Sequence, residues 1–267
     1  MVSAKDIVVK PIKASAANAL VKRVHYSGKV VNNSNLHFGA FLNGKLEGAM
    51  SFGSPLDKRK VLTLVEGTAW AGMLELNRMA FSDRLPRNSE SRCMAIAFKL
   101  IKKHYPHIEW VLSFSDGTQC GDGTIYRASG FVLTGLKKNS QIWESPNGEL
   151  YSRTSLTDGR SKRVQAQARA TAGGGNFGGG ASMKPYVDAG WKPLQGFQLR
   201  YIYFLNKDAR QRLTVPVIPF SRIDEMGAGM YKGKPKRVTK ANSGDQPESG
   251  GAVPTGTLQP NREVANA

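Results

Sequence analysis

Five short segments of this chain carry side chains suited to chemistry on a bound molecule. His25-Tyr26 precedes a Ser27-Gly28 turn, and Arg78 lies inside the run Glu75-Leu76-Asn77-Arg78. A polar turn, Arg87-Asn88-Ser89-Glu90-Ser91, leads into an apolar-periodic stretch. Asp116 follows the run Glu109–Phe114, and Tyr126 stands four residues before Gly130-Phe131. A carboxylate such as Asp116 takes a proton from an amine or orients it, and a tyrosine hydroxyl gives a proton to a departing group. An arginine inside a strand needs a carboxylate or phosphate partner, for which Asp116 is a candidate. Each feature also has an ordinary reading: Ser89 as a helix N-cap, Tyr126 as a packed ring, Asp116-Gly117 as a turn, Arg78 as an ion pair. His25 beside a tyrosine or aspartate could hold a metal, but no H-x-x-x-H spacing accompanies it.

The elements that must position these residues follow from periodicity. Residues 6–10 read as a first strand and Ser15–Val24 as a helix with Ser15 as N-cap. Residues 36–42 and 46–53 flank Asn43-Gly44, a hairpin signal. Residues 73–81 alternate as a strand, on which Leu76 and Arg78 would share one face. Arg92–His104 has helical spacing, 109–114 is a buried strand, and 124–129 is a short helix closed by Gly130 as its C′ glycine. Weaker strands fall at 141–144, 149–153 and 197–205. The domain is expected over 1–225. It contains a basic, then glycine-rich insert at about 158–185, and a polar tail occupies 226–267.

The order strand, polar turn, long helix, strand, loop, short helix, Gly-Phe over Glu75–Phe131 is similar to that of the N-acetyltransferase (GNAT) superfamily. The fold class this implies is α/β, with a mixed, mostly antiparallel central sheet flanked by helices. In that fold the turn before the long helix presents N–H groups and a positive dipole end to the pyrophosphate of an acyl-CoA. Here Arg87, Asn88 and Ser89 would do so, with Arg92 adding charge. The glycines usual in that turn are absent, which counts against routine acetyl transfer.

Charge bounds the partner. Lys and Arg number 38 against 20 Asp and Glu, a net charge of +18 with a pI near 10.0. A surplus of that size points to a phosphate backbone. Two cysteines, Cys93 and Cys120, are too few for a disulfide scaffold or a cysteine-rich zinc site. The N-terminus lacks the apolar core of a signal peptide, and no apolar run is long enough to span a membrane. A reducing cytoplasm is the expected location.

His25-Tyr26-Ser27, the ELNRM strand with Arg78, the RNSES turn, the SFSD strand end and GTIYRASGF occur in this order, and together they resemble the Mom family of phage Mu and its relatives. The match runs from about residue 5 to 140 and extends to GFQLRYIYFL. The resemblance implies a GNAT-related enzyme that converts adenine in double-stranded phage DNA to N6-(carbamoylmethyl)adenine and so shields it from host restriction enzymes. It implies catalytic roles for Arg78, Ser91, Asp116 and Tyr126, and substrate binding by His25 and Tyr26. An acyl-CoA-type or other activated small molecule would be the donor. Iron enters as a candidate metal, and a homodimer stays open. Tyr26, Tyr201 and Arg200 could stack on a flipped base or brace phosphates, and Arg160, Lys162, Arg163 and Arg169 could track the DNA backbone. Two competing readings are an acetyltransferase for a protein or small amine, and a non-catalytic DNA-binding protein on the same scaffold.

Overall fold

The computed structural model describes residues 2–25, 29–117, 123–157, 166, 182–231 and 234–235. Tyr26, the insert cations Arg160, Lys162, Arg163 and Arg169, most of the insert and nearly all of the tail lie outside the described residues. The frame is a seven-stranded sheet. In chain order its strands are β1 (Val8–Pro11), β2 (Ser34–Leu42), β3 (Lys45–Gly53), β4 (Met73–Phe81), β5 (Trp110–Asp116), β6 (Val132–Asn139) and, after three strands of a second sheet, β10 (Gly196–Phe204). Their spatial order is β1-β2-β3-β4-β5-β10-β6. The β2–β3 hairpin turns on Asn43 and Gly44, with φ of 50° and 76°. Two left-handed residues are what the right-twisted type I′ turn requires. Among the described residues, the β4–β5 pair alone is parallel in this sheet. It is bridged by the long helix α3 (Ser89–His104), the crossover that a parallel pair needs.

Each face of the sheet is covered. On one side α3 buries Met94, Ala97 and Phe98 against Phe38, Met50, Phe52 and Leu76. Phe98 stacks on Tyr203 with centroids 4.2 Å apart. Burial of side chains this size stabilises by about 1.5–3 kcal/mol each. The helix α4 (Thr124–Ala128) joins this side through Tyr126. On the other side α1 (Ala14–Val24) packs Ala17 and Leu20 on Ala49. Further along that side, α2 (Lys58–Leu62) and α7 (Lys207–Gln211) cover Trp110, Leu112 and Ile202. Between these two apolar patches the sheet is polar, and this gap is where the candidate site lies. No described helix is long and apolar enough to cross a membrane.

Several local expectations change. Helix α1 starts one residue early, at Ala14, and its N-cap is Lys13 with no side-chain cap, not Ser15. Helix α3 starts at Ser89, three residues before the apolar periodicity begins, because Asn88 takes φ 67° and turns the chain into the helix. The weak strands 141–144 and 149–153 do not join the main sheet. As β7 (Ile142–Glu144) and β8 (Leu150–Ser152) they form a small sheet with β9 (Lys192–Pro193). Helices α5 (Arg153–Thr157) and α6 (Lys184–Asp188) complete it around Trp143, Tyr151, Leu156, Tyr186 and Trp191. Ala228 is fully buried in the main core, so packing runs past residue 225.

Candidate active site

The parallel pair is joined only at its start. Met73, Leu74 and Glu75 pair with Trp110, Val111 and Leu112, and beyond them the two strands run on without pairing each other. The sheet is therefore split along the second half of β4, and the sequence-predicted residues lie around that split on the two faces of the sheet.

Arg78 reaches its place through a bulge. Phe52 pairs with Leu76 but Ser51 pairs with Arg78, so β4 carries one extra residue, Asn77, at this point. An inserted residue reverses the facing of the strand residues after it. Arg78 thus faces away from Leu76, contrary to simple alternation, and lies on the α1 side with Ser51. Its Nε donates to the Lys29 carbonyl at 3.0 Å. His25 closes α1 as its C-cap, with its backbone N–H donating to the Val21 carbonyl at 3.0 Å. Burial, aided by the Arg78 charge, pushes the His25 pKa down to about 3. The imidazole is neutral at pH 7, a hydrogen-bonding group rather than a cation.

Two residues not singled out from the sequence belong to the same patch. His37 on β2 pairs in register with Ser51. Its Nδ1 lies 2.8 Å from Ser51 Oγ, and both residues are buried. Among the described residues, His37 Nε2 has no hydrogen-bond partner, and burial lowers the imidazole's pKa, offset in part by the nearby Ser34 backbone. The signal in the sequence was a histidine and a serine set singly among apolar strand residues. Beside them Asn77 Nδ2 donates to Asn33 Oδ1 at 3.4 Å and to the Ser54 carbonyl at 3.5 Å. Glu75 is buried one bulge away, paired with Gly53. Asp116 ends β5 opposite Gln198 of β10. Alternation places it with Phe114, Leu112 and Trp110, on the same side of the sheet as Arg78.

The other predicted residues lie on the α3 side. At the start of α3, Asn88 makes no side-chain cap, so the first-turn N–H groups are not closed off from that quarter. Ser89 is buried and its hydroxyl donates to the Pro86 carbonyl, which takes that side chain out of a donor cradle. Ser91 Oγ sits at the exposed rim, donating to the Asn88 carbonyl at 3.2 Å. Arg87 is exposed, and Arg92 Nη2 donates to the Lys5 carbonyl at 3.3 Å. An anionic group would meet backbone amides, the Ser91 hydroxyl and Arg87 here, a partial fit to a pyrophosphate.

Tyr126 is held by aromatic packing. Its ring stacks on Tyr201 at 5.0 Å and 24°, and meets Phe131 edge-on at 5.3 Å. Gly123 opens α4 at φ 69°, and a Cβ there would sit 2.5 Å from the Tyr201 hydroxyl. Only glycine lets the loop pass so close above Tyr201. Tyr201 is itself fully buried, so it braces Tyr126 and is no platform for a base. Arg200 is likewise turned inward: Nη2 donates to the Thr134 carbonyl at 2.8 Å, and burial lowers its pKa. Tyr201 thus offers no exposed ring face to a base, and the half-buried Arg200 guanidinium is bonded to Thr134. Among the described residues, no group of three His, Cys, Asp or Glu side chains gathers to hold a metal.

A mixed sheet split at one parallel pair, with a helix N-terminus and a tyrosine on one face and a polar patch on the other, is the GNAT-like fold expected from the order of elements. Comparison with known proteins narrows it. The model of the Mom protein family matches residues 6–222, and the chain belongs to that family. It is 36% identical over 211 residues to the methylcarbamoylase mom of Escherichia phage Mu, covering 78% of this chain and 80% of that protein. Solved structures similar to it include the ribosomal-protein-S18-alanine N-acetyltransferase from Escherichia coli. That match has a TM-score of 0.40 at 9% identity and covers 75% of this chain and 94% of the other. Another is an IAA acetyltransferase from Bacillus cereus ATCC 14579, with a TM-score of 0.37 at 13% identity, over 49% and 80% of the two chains.

Proposed function

We propose that this chain transfers a carbamoylmethyl group from an activated small-molecule donor to the N6 amine of adenine in double-stranded DNA. The product is N6-(carbamoylmethyl)adenine, and the modified DNA is protected from restriction endonucleases. One observation carries the reading: at the β4–β5 split the candidate residues divide between the two faces of the sheet, those read as donor-binding on one and those read as acceptor-binding on the other. The phage Mu relative's name, a methylcarbamoylase, supports the transferred group.

On this reading the roles follow the same division. The α3 N-terminus, with Arg87 and Ser91, would hold the donor's anionic part. Arg78 and the neutral His25, with Tyr26, would hold the adenine. A bond forms between N6 and the donor carbon, while the bond from that carbon to the leaving group breaks with its electron pair. The N6 proton passes to the Asp116 carboxylate, and Tyr126 supplies a proton to the leaving group. The N6 lone pair is delocalised into the ring and the amine is enclosed by the duplex, so the base must leave the stack first.

Mass spectrometry of nucleosides from cells expressing the chain tests this. The expected result is deoxyadenosine carrying one carbamoylmethyl group, absent with Asp116→Ala. Wholly unmodified deoxyadenosine alongside folded wild-type protein would overturn the proposal.

A further inference from the structure

The β3–β4 connection, residues 54–72, contributes no catalytic or substrate-holding residue, yet it turns two large apolar side chains to solvent. Trp70 is 61% exposed and Leu56 65%. The chain's other tryptophans, Trp110, Trp143 and Trp191, are buried. Beside the exposed pair stand Lys58, Arg59 and Lys60, the last two exposed. Lys58 Nζ lies 5.1 Å from the centre of the Trp70 ring, which steadies the indole, and 3.4 Å from Ser54 Oγ. Ser54 in turn accepts from Asn77, the bulge residue next to Arg78. A continuous run of contacts thus joins the exposed tryptophan to the rim of the acceptor patch.

We propose that Trp70 is an apolar wedge that enters the base stack of duplex DNA beside the target adenine, while Lys58, Arg59 and Lys60 sit on the flanking phosphates. This rests on the adenine reading of the site. Extruding a paired base leaves a gap in the stack, and an apolar side chain filling it offsets the lost stacking. An indole does so for any neighbouring base, since every base has a π face. Three cations within one turn supply the charge complementarity that holds such a wedge against a phosphate backbone. A wedge linked through Lys58, Ser54 and Asn77 to the acceptor patch would release the base toward the residues that must receive it.

The test needs no donor. Full-length protein is titrated with duplexes carrying 2-aminopurine at adenine positions, opposite either thymine or an abasic site. The base's fluorescence reports unstacking. Because Trp70 is the exposed tryptophan, quenching of intrinsic fluorescence by plain duplex reports the wedge. Wild-type protein should raise the 2-aminopurine signal in the paired duplex and show quenching that Trp70→Phe removes. Trp70→Ala should lower the extrusion equilibrium about tenfold or more, the scale of one base–aromatic stack. It should bind the abasic duplex within about twofold of wild type, while Trp70→Phe keeps most of the extrusion. Equal losses on both duplexes, or no quenching at saturating DNA, would overturn the wedge. So would a dimer in sedimentation that shields Trp70 from acrylamide without DNA and dissolves in Trp70→Ala, which assigns the patch to a second copy. Unmodified adenine in cells overturns the reading of the site instead, and leaves the fluorescence to judge the wedge.

Discussion

Taking the protein from about pH 7.5 to about pH 5 should weaken it through His25. Burial and the Arg78 charge hold this imidazole neutral down to about pH 3, against an ordinary value of 6.5. The unfolded chain binds a proton at His25 once the pH drops below about 6.5, and the folded chain does not until near 3. The contribution is therefore intact above 6.5 and is lost progressively as pH falls toward 3. At about pH 5 the unfolded state is favoured over about 1.5 pH units, and at about 1.4 kcal/mol per unit that is about 2 kcal/mol. The figure is insensitive to the folded-state value, because pH 5 lies well above it. Other groups titrate over the same interval, including His37, whose pKa is also lowered. The measurement is thus a difference: urea unfolding of wild type and His25→Gln at both pH values. The variant should lose about 2 kcal/mol less than wild type across the interval. Equal losses would refute the argument that folding buries His25 as a neutral group beside Arg78.

Neighbouring contacts give further expectations. Gly123→Ala adds left-handed strain of about 1–2 kcal/mol and a methyl forced against Tyr201, so thermal unfolding should show a loss of about 2–5 kcal/mol. Ser51→Ala strips the buried His37 Nδ1 of its partner and should cost about 1–3 kcal/mol in urea unfolding, while Ser51→Thr restores part of it. Tyr126→Phe keeps the stack on Tyr201 but removes the hydroxyl, so unfolding should stay near wild type while modified adenosine in cells falls by about a hundredfold or more. DNA affinity should weaken at least about tenfold between low and moderate salt, and a flat salt dependence would remove the electrostatic account of the +18 charge.

Much of the frame was legible in residues 36–116. The Asn43-Gly44 turn, the alternation over 73–81 and the helical spacing after Arg92 each rest on local backbone preference, which a sequence displays directly. The small sheet around Trp143 and Trp191 was not legible. Its strands are short and its core joins residues on either side of the insert, a pairing that no local pattern records.

The sequence by itself determined the element order, the basic surplus and which side chains are available for chemistry. Only the tertiary structure decided which of them meet. The two-residue turn sets Leu42 opposite Lys45, a register that would bring His37 to Met50. A bulge between Ala40 and Phe41 shifts it by one and delivers His37 to Ser51 instead. A second bulge, at Asn77, turns Arg78 from the α3 side to the same patch. Side chains alternate with a period of two, so one inserted residue moves everything beyond it to the opposite face. The polar patch of His37, Ser51 and Arg78 exists because two such insertions fall on neighbouring strands, and the strand pairing that fixes them is a property of the assembled sheet.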